Sequence, residues 1–220
     1  MSAIAVKICG LSTGPTLAAA LDAGADLVGF VHFPKSPRHV DLPLAGLLSE
    51  QARGRAGRVV LLVDPDDALL ASVIAATDPD WVQLHGCETP ERIAAIRRLI
   101  GRPVLKALGI ATRADLASIQ AYAHAADRIL LDAKAPPGAA LPGGNGHAFD
   151  WALLAGADLP EGTMLSGGLT PETVGDALAR TGLRAVDVSS GVESRPGEKD
   201  SSRIAAFIAA ARANRTVAAA

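Results

Sequence analysis

A chain of 220 residues that is 49% hydrophobic and 20% charged is long enough to bury a sizeable core and too apolar to stay disordered. Its 21 Lys and Arg stand against 23 Asp and Glu, for a formal net charge of -2. That balance excludes the charge signature of a nucleic-acid or anionic-membrane binder, but not a small anionic ligand held by a local cluster of donors. The N-terminal MSAIAVKICG lacks the basic start and long apolar run of a secretion signal, and no stretch is apolar enough to span a bilayer, so a cytoplasmic protein is expected. Cys9 and Cys87 stand in unrelated contexts and make neither a disulfide framework nor a zinc site. The histidines (His32, His39, His85, His124, His147) show no metal-ligand spacing, so no metal is expected.

In chain order, short apolar runs alternate with longer helical patterns. Strands are predicted at Ile4 to Ile8, Leu27 to Val31, Arg58 to Val63, Trp81 to Leu84, Val104 to Ala107, Arg128 to Leu131, Thr163 to Leu165 and Ala185 to Val188. Most are Val, Ile and Leu without polar alternation, as in parallel strands covered on both faces. Thr89-Pro90-Glu91 and Thr170-Pro171-Glu172 each place a capping hydroxyl before a proline suited to a first helical position. Asp22-Ala23-Gly24-Ala25 ends the first helix, and the Ala-rich Leu17 to Leu21 and Ile204 to Ala211 favour helix. Eight strand-helix units predict an α/β fold, a single-domain (β/α)8 TIM barrel over residues 1–215 with a frayed tail at 216–220. The competing open doubly wound sheet would carry a glycine fingerprint after its first strand, where this chain has Lys7-Ile8-Cys9-Gly10.

Such a barrel does its chemistry at the carboxyl ends of the strands. Cys9 ends strand 1; it reads either as a small buried apolar residue or as a reactive thiol. Cys87, beyond strand 4, reads as structural. Asp132 follows the apolar run of strand 6, either as an acid in the barrel mouth or as a partner for Lys134 or a helix cap. An acid and a base on opposite sides of a small ligand suit a proton-moving isomerase. Glycine-rich segments follow late strands at Gly143-Gly144-Asn145-Gly146, Ser166-Gly167-Gly168 and Ser189-Ser190-Gly191. The last two occupy the usual phosphate position of this fold, where backbone N–H groups can approach an anion. Arg38, in the loop Pro34-Lys35-Ser36-Pro37-Arg38, is either a fork for a carboxylate or phosphate or a solvated loop charge. Lys7, unusual in a first strand, either lines the interior beside an acid or reaches outward.

Several segments together resemble the phosphoribosylanthranilate isomerase family of tryptophan biosynthesis: Lys7-Ile8-Cys9-Gly10, Gly29 to Arg38, Val82-Gln83-Leu84-His85-Gly86, Leu130-Leu131-Asp132-Ala133-Lys134, Phe149-Asp150-Trp151, Leu165 to Leu169, Val186 to Glu193 and Pro196 to Asp200. The resemblance runs in order from residue 4 to about residue 212. It implies an Amadori rearrangement of N-(5-phosphoribosyl)anthranilate without a cofactor, with Asp132 as acid and Cys9 as base. It also implies that Arg38 holds the anthranilate carboxylate. By the same resemblance Gly144, Gly167, Gly168, Ser189, Ser190 and Gly191 cradle the phosphate, and His85 and Asp187 line the pocket. The partner is then a small phosphorylated substrate, and the protein a monomer or homodimer. The chain departs from the family pattern at Asn145, where Ser or Thr is usual, at His39, which replaces Tyr, and at Leu62-Val63-Asp64, which replaces Phe-Val-Asn. Two alternatives stand beside this expectation: an isomerase that also accepts the related histidine-pathway substrate, and a non-catalytic barrel that binds a phosphorylated ligand. Indole-glycerol-phosphate synthase fits less well, since its catalytic Lys/Glu set and longer N-terminus are not found.

Overall fold

The computed structural model describes residues 4–136, 138, 141, 143 and 149–213. The eight expected strands are present: β1 (Ala5–Cys9), β2 (Leu27–Val31), β3 (Gly57–Leu62), β4 (Trp81–Leu84), β5 (Val104–Ile110), β6 (Arg128–Ala133), β7 (Met164–Leu165) and β8 (Ala185–Val188). All pair in parallel, and β8 returns to β1, so the sheet closes into a barrel in sequence order. Closure removes the exposed edges that an open sheet would present. Outside the barrel run α1 (Gly14–Asp22), α2 (Leu42–Ala52), α3 (Asp67–Thr77), α4 (Pro90–Ile100), α5 (Ile119–Ala125), α6 (Val174–Thr181) and α7 (Ser201–Ala213). Among the described residues no helix is long and apolar enough to cross a membrane.

Side-chain oxygens start most of these helices. Thr13, Asp41, Asp66 and Thr89 each accept from a backbone N–H three residues on. Two expectations need correction. Thr170-Pro171-Glu172 does not open a helix: the Thr170 hydroxyl accepts from the Glu172 N–H and closes a turn, so α6 begins at Val174 with Thr173 as its cap. Between β6 and β7 the described residues contain a 3₁₀ turn, Trp151–Leu154, in place of a full helix. After β8 comes a second departure from a plain repeat, a hairpin of β9 (Glu193–Arg195) and β10 (Glu198–Lys199) that precedes α7.

The strand pleat sends alternate residues inward. Toward the amino ends of the strands the interior is apolar, with Leu27, Val59, Leu105, Leu130, Met164 and Ala185 in one cluster. Toward the carboxyl ends the same columns turn polar, with Cys9, Gln83, Asp132, Ser166 and Asp187 on the wall of a cavity. A separate and larger apolar core, including Ile8, Phe30, Leu62, Leu84, Ile93 and Phe207, fills the layer between strands and helices.

The amino-terminal face is tied by a repeated device. Asp26, Asp80 and Asp127 each sit one residue before an even-numbered strand. Their side chains accept from the backbone N–H of Val6, Arg58 and Val104 at 2.7, 2.8 and 2.9 Å. Each aspartate also donates its own N–H to the carbonyl of that same residue. The first N–H of β5, and that of the second residue in β1 and in β3, is thereby satisfied at a buried end. Asp26→Ala and Asp127→Ala are each expected to cost about 1–2 kcal/mol, the penalty of a backbone donor left unsatisfied. The measurement is a lowered urea midpoint at unchanged kcat, since these residues lie at the end of the barrel away from the cavity; an unchanged midpoint would show that the ties carry no stability.

Candidate active site

The cavity at the carboxyl ends of the strands has an empty volume of about 820 Å³, part of it open to solvent. Cys9, Arg38, His85, Asp132, Gly167, Gly168, Asp187, Ser189 and Ser190 all line it, so most of the residues picked from the sequence meet in one place. Gly191 lies behind the lining, against the Leu169 carbonyl. Gly144 and Asn145 fall outside the described residues, as does most of the β6–β7 connection from 137 to 148.

Asp132 is the penultimate residue of β6, opposite Gly109 of β5, and is 6% exposed. Its supposed alternative partner is otherwise engaged, because Lys134 pairs with Asp115 at 2.7 Å. One Asp132 oxygen accepts from the Ala133 N–H at 2.8 Å, and the other lies 3.3 Å from His85 Nε2. His85 Nδ1 in turn is 3.4 Å from Gln83 Nε2. The Gln83 oxygen has no hydrogen-bond partner among the described residues. The two orientations of this amide correspond to the two tautomers of His85. If the amide N–H donates to Nδ1, a neutral His85 carries its proton on Nε2 and donates to an Asp132 carboxylate. In the reverse orientation Nδ1–H donates to the amide oxygen, and Nε2 accepts from a protonated Asp132. A side chain at residue 143 would come within 2.5 Å of both Asp132 Oδ2 and His85 Nε2, so the β6–β7 connection needs a glycine to pass this close.

Cys9 ends β1, three steps around the ring from Asp132 by way of β8 and β7. Its thiol is buried, and burial pushes its pKa up from the ordinary cysteine value. Lys7 opposes that shift by charge and by a side-chain hydrogen bond, Asp187 adds to it, and Lys199 opposes it. Cys87 is exposed, outside the cavity, and its N–H donates to Asp64 Oδ1 at 2.7 Å.

Arg38 is not a solvated loop charge. It is 6% exposed, and its Nε and Nη2 donate to the two carboxylate oxygens of Glu193 at 2.7 and 2.9 Å. Lys199 donates to the same Glu193 at 2.6 Å and also to the Ser189 carbonyl at 2.9 Å and hydroxyl at 3.1 Å. The β9–β10 hairpin therefore fixes both the arginine plane and the loop that follows β8. Glu193 and Lys199 were not singled out as site residues from the sequence; their nearest signals were the Val186 to Glu193 motif for the one and the Pro196 to Asp200 motif for the other. Of the departures, His39 packs its ring 5.0 Å from that of His32, and Asp64 accepts from the Cys87 N–H; neither intrudes on the cavity lining.

Reactive side chains gathered at the carboxyl ends of a closed parallel barrel, beside glycine-bearing loops after its last two strands, place the chain in the class of (β/α)8-barrel enzymes. The model of the N-(5'-phosphoribosyl)anthranilate (PRA) isomerase family matches residues 6–210, and the chain belongs to that family. It is 61% identical to the N-(5'-phosphoribosyl)anthranilate isomerase of Azorhizobium caulinodans, over 96% of this chain and 92% of that one. The crystal structure of phosphoribosyl anthranilate isomerase from Thermotoga maritima superimposes with a TM-score of 0.84 at 37% identity, covering 96% of this chain and 99% of that one. A phosphoribosyl anthranilate isomerase in complex with reduced 1-(o-carboxyphenylamino)-1-deoxyribulose 5-phosphate gives a TM-score of 0.81 at 33% identity, again over 96% and 99% of the two chains.

Burial pushes the Glu193 carboxyl up, but Arg38 and Lys199 outweigh it and hold it below the ordinary glutamate value of 4.5. A depressed folded value means that this stabilisation is present above 4.5 and is lost as pH falls through the lowered value. Glu193→Gln is expected to flatten the acid side of the curve of Tm against pH and to raise KM by loosening Arg38. A wild-type acid limb in the variant would remove Glu193 from this role.

Proposed function

We propose that this chain catalyses the Amadori rearrangement of N-(5-phosphoribosyl)anthranilate to 1-(2-carboxyphenylamino)-1-deoxyribulose 5-phosphate, an aldose-to-ketose isomerisation in tryptophan biosynthesis. The observation that carries the roles is that Cys9 and Asp132, from strands on different sides of the ring, line one cavity together with the loops after β7 and β8. The phosphate is assigned to Gly167, Gly168, Ser189 and Ser190, where backbone N–H groups and hydroxyls meet an anion with no Cβ in the way at the glycines. Gly144 belongs to the same cradle by its motif, and Gly191 supports it from behind. Arg38 is assigned to the anthranilate carboxylate.

Protonated Asp132 donates to the ribose ring oxygen as the bond from that oxygen to C1 breaks, and the nitrogen lone pair forms the Schiff base. Cys9 thiolate then removes the C2 proton. The electron pair moves through the new C1–C2 double bond to neutralise the Schiff-base nitrogen and gives an enolamine. Moving a proton from the C2 hydroxyl to C1 completes the aminoketone. Asp132 gives one proton and Cys9 takes one, so the enzyme resets by proton exchange. The substrate's own nitrogen is the electron sink, which is why the chemistry requires no cofactor. The arrangement of His85 suits the first step, since Nε2 can accept from a protonated Asp132 when Nδ1–H donates to Gln83.

Turnover is followed by the loss of anthranilate fluorescence with freshly made phosphoribosylanthranilate. Cys9→Ala and Asp132→Asn are each expected to lower kcat by roughly 10²-fold or more, the scale of an acid or base contribution. A near wild-type rate in either variant would reassign that role, and no turnover by the folded parent would sink the activity. Arg38→Ala is expected to act mainly by raising KM; an unchanged KM would place the substrate carboxylate elsewhere.

A further inference from the structure

Lys7 has no part in the steps above, yet it is a lysine with 0% exposure inside the barrel. Removing an ammonium from water without compensation costs several kcal/mol, so a buried lysine must be answered by charge and hydrogen bonds. Its Nζ donates to Asp187 Oδ1 at 2.7 Å, across the seam where β1 meets β8. The other Asp187 oxygen accepts from the Ser166 hydroxyl at 3.0 Å, so the carboxylate is held from both sides. Lys7 and Cys9 are two residues apart on one strand and face the same way.

A side chain built on Gly29 of β2, the residue paired with Cys9, would meet the Cys9 sulfur at 2.9 Å and Lys7 Nζ at 3.2 Å. The ammonium and the thiol therefore flank the same empty point, and the glycine leaves room for both. The charged groups bearing on Cys9 are Lys7 on its own strand, Asp187 on β8 and Lys199 on the β9–β10 hairpin. Arg38 approaches through its stem, which crosses Gly10 just beyond the thiol.

We propose that Lys7 is the positioning residue for the catalytic base: its buried ammonium, fixed by Asp187 and Ser166, supplies the positive charge beside which Cys9 becomes a thiolate. The inference rests on Cys9 being the base. A structural ion pair alone would not need to lie beside the thiol, whereas thiolates form where a cation stands close by. Burial opposes the charge on Lys7, but Asp187 and Cys9 outweigh it and leave its pKa raised above the ordinary lysine value, so the ammonium is present throughout the working range. Asp187 holds that cation in place, and as a negative charge it opposes the thiolate. Burial and Asp187 hold the thiol above its ordinary value, and Lys7 is the foremost group working against them.

The experiment measures alkylation of Cys9 by iodoacetamide against pH, by mass spectrometry of the Cys9 peptide, in the full chain carrying Cys87→Ser. Lys7→Met is compared with the double variant Lys7→Met/Asp187→Asn, which removes both charges and keeps the test open if the single variant fails to fold with Asp187 unpaired. In Lys7→Met the alkylation midpoint is expected to move to higher pH, the rate near pH 7.5 to fall about 10-fold, and kcat to fall by a similar factor with little change in KM; in the double variant, which also removes the smaller opposing charge of Asp187, the midpoint is expected to move up by less. The rate at the high-pH plateau reports access to the thiol, so an equal plateau with a shifted midpoint isolates the charge. A midpoint equal to that of the parent overturns the proposal. If Cys9→Ser turns over normally, the assignment of the base fails instead, while a shifted alkylation midpoint would still record the action of Lys7 on the thiol.

Discussion

In a closed ring of parallel strands only every second side chain can face inward, so each strand contributes one short column to the interior. That constraint organises the whole molecule. The lower members of the columns, among them Leu27, Val59, Leu105 and Met164, fill the barrel with apolar volume. The upper members, Cys9, Gln83, Asp132, Ser166 and Asp187, have no layer above them and bound the cavity. Because β6 extends through Ala133, Asp132 stays in register with its neighbours instead of swinging on a loop. Lys7 occupies the level between, which is why a charge ends up with no water.

Charge in the upper barrel is handled in three linked groups. Lys7 with Asp187 and Ser166 lies under the thiol, Glu193 with Arg38 and Lys199 fixes the rim, and Glu88 with Lys106 braces the loop after β4 that follows His85. Buried ion pairs of this kind contribute little net stability, because desolvation offsets attraction. Their worth here is geometric. The first two join segments far apart in the chain, 180 residues for Lys7 and Asp187 and 155 for Arg38 and Glu193. The walls of the cavity are fixed where its loops alone would leave them free to move.

The strands were legible because residues buried on both faces must be Val, Ile or Leu over several consecutive positions. The carboxyl-end placement of Cys9 and Asp132 followed from the strands, and the family motifs gave them roles. What could not be read was decided by tertiary contact. Thr170-Pro171-Glu172 has the composition of a helix start, but the Thr170 hydroxyl bonds within a turn instead. Arg38 in a proline-rich loop looks solvated until Glu193 is folded against it. Lys7 could have faced either way, and only the pairing of β1 with β8 settles that it meets Asp187. Glu193 and Lys199 were missed because their significance lies in what they hold.

The reciprocal aspartate ties join β1 to β2, β3 to β4 and β5 to β6, and each closes a ring between one strand and the residue that begins the next. Two consecutive strand-helix units are thereby clasped, while the junctions between pairs rely on packing and the sheet ladder. From β1 to β6 the barrel is modular at twice the spacing of its visible repeat. A chain divided after α2 or α4 keeps every clasp whole in one fragment or the other, whereas a chain divided after α1 or α3 separates a clasp into two pieces. Breaks, permuted termini and exchanged segments are therefore tolerated unequally along a ring whose strands look equivalent.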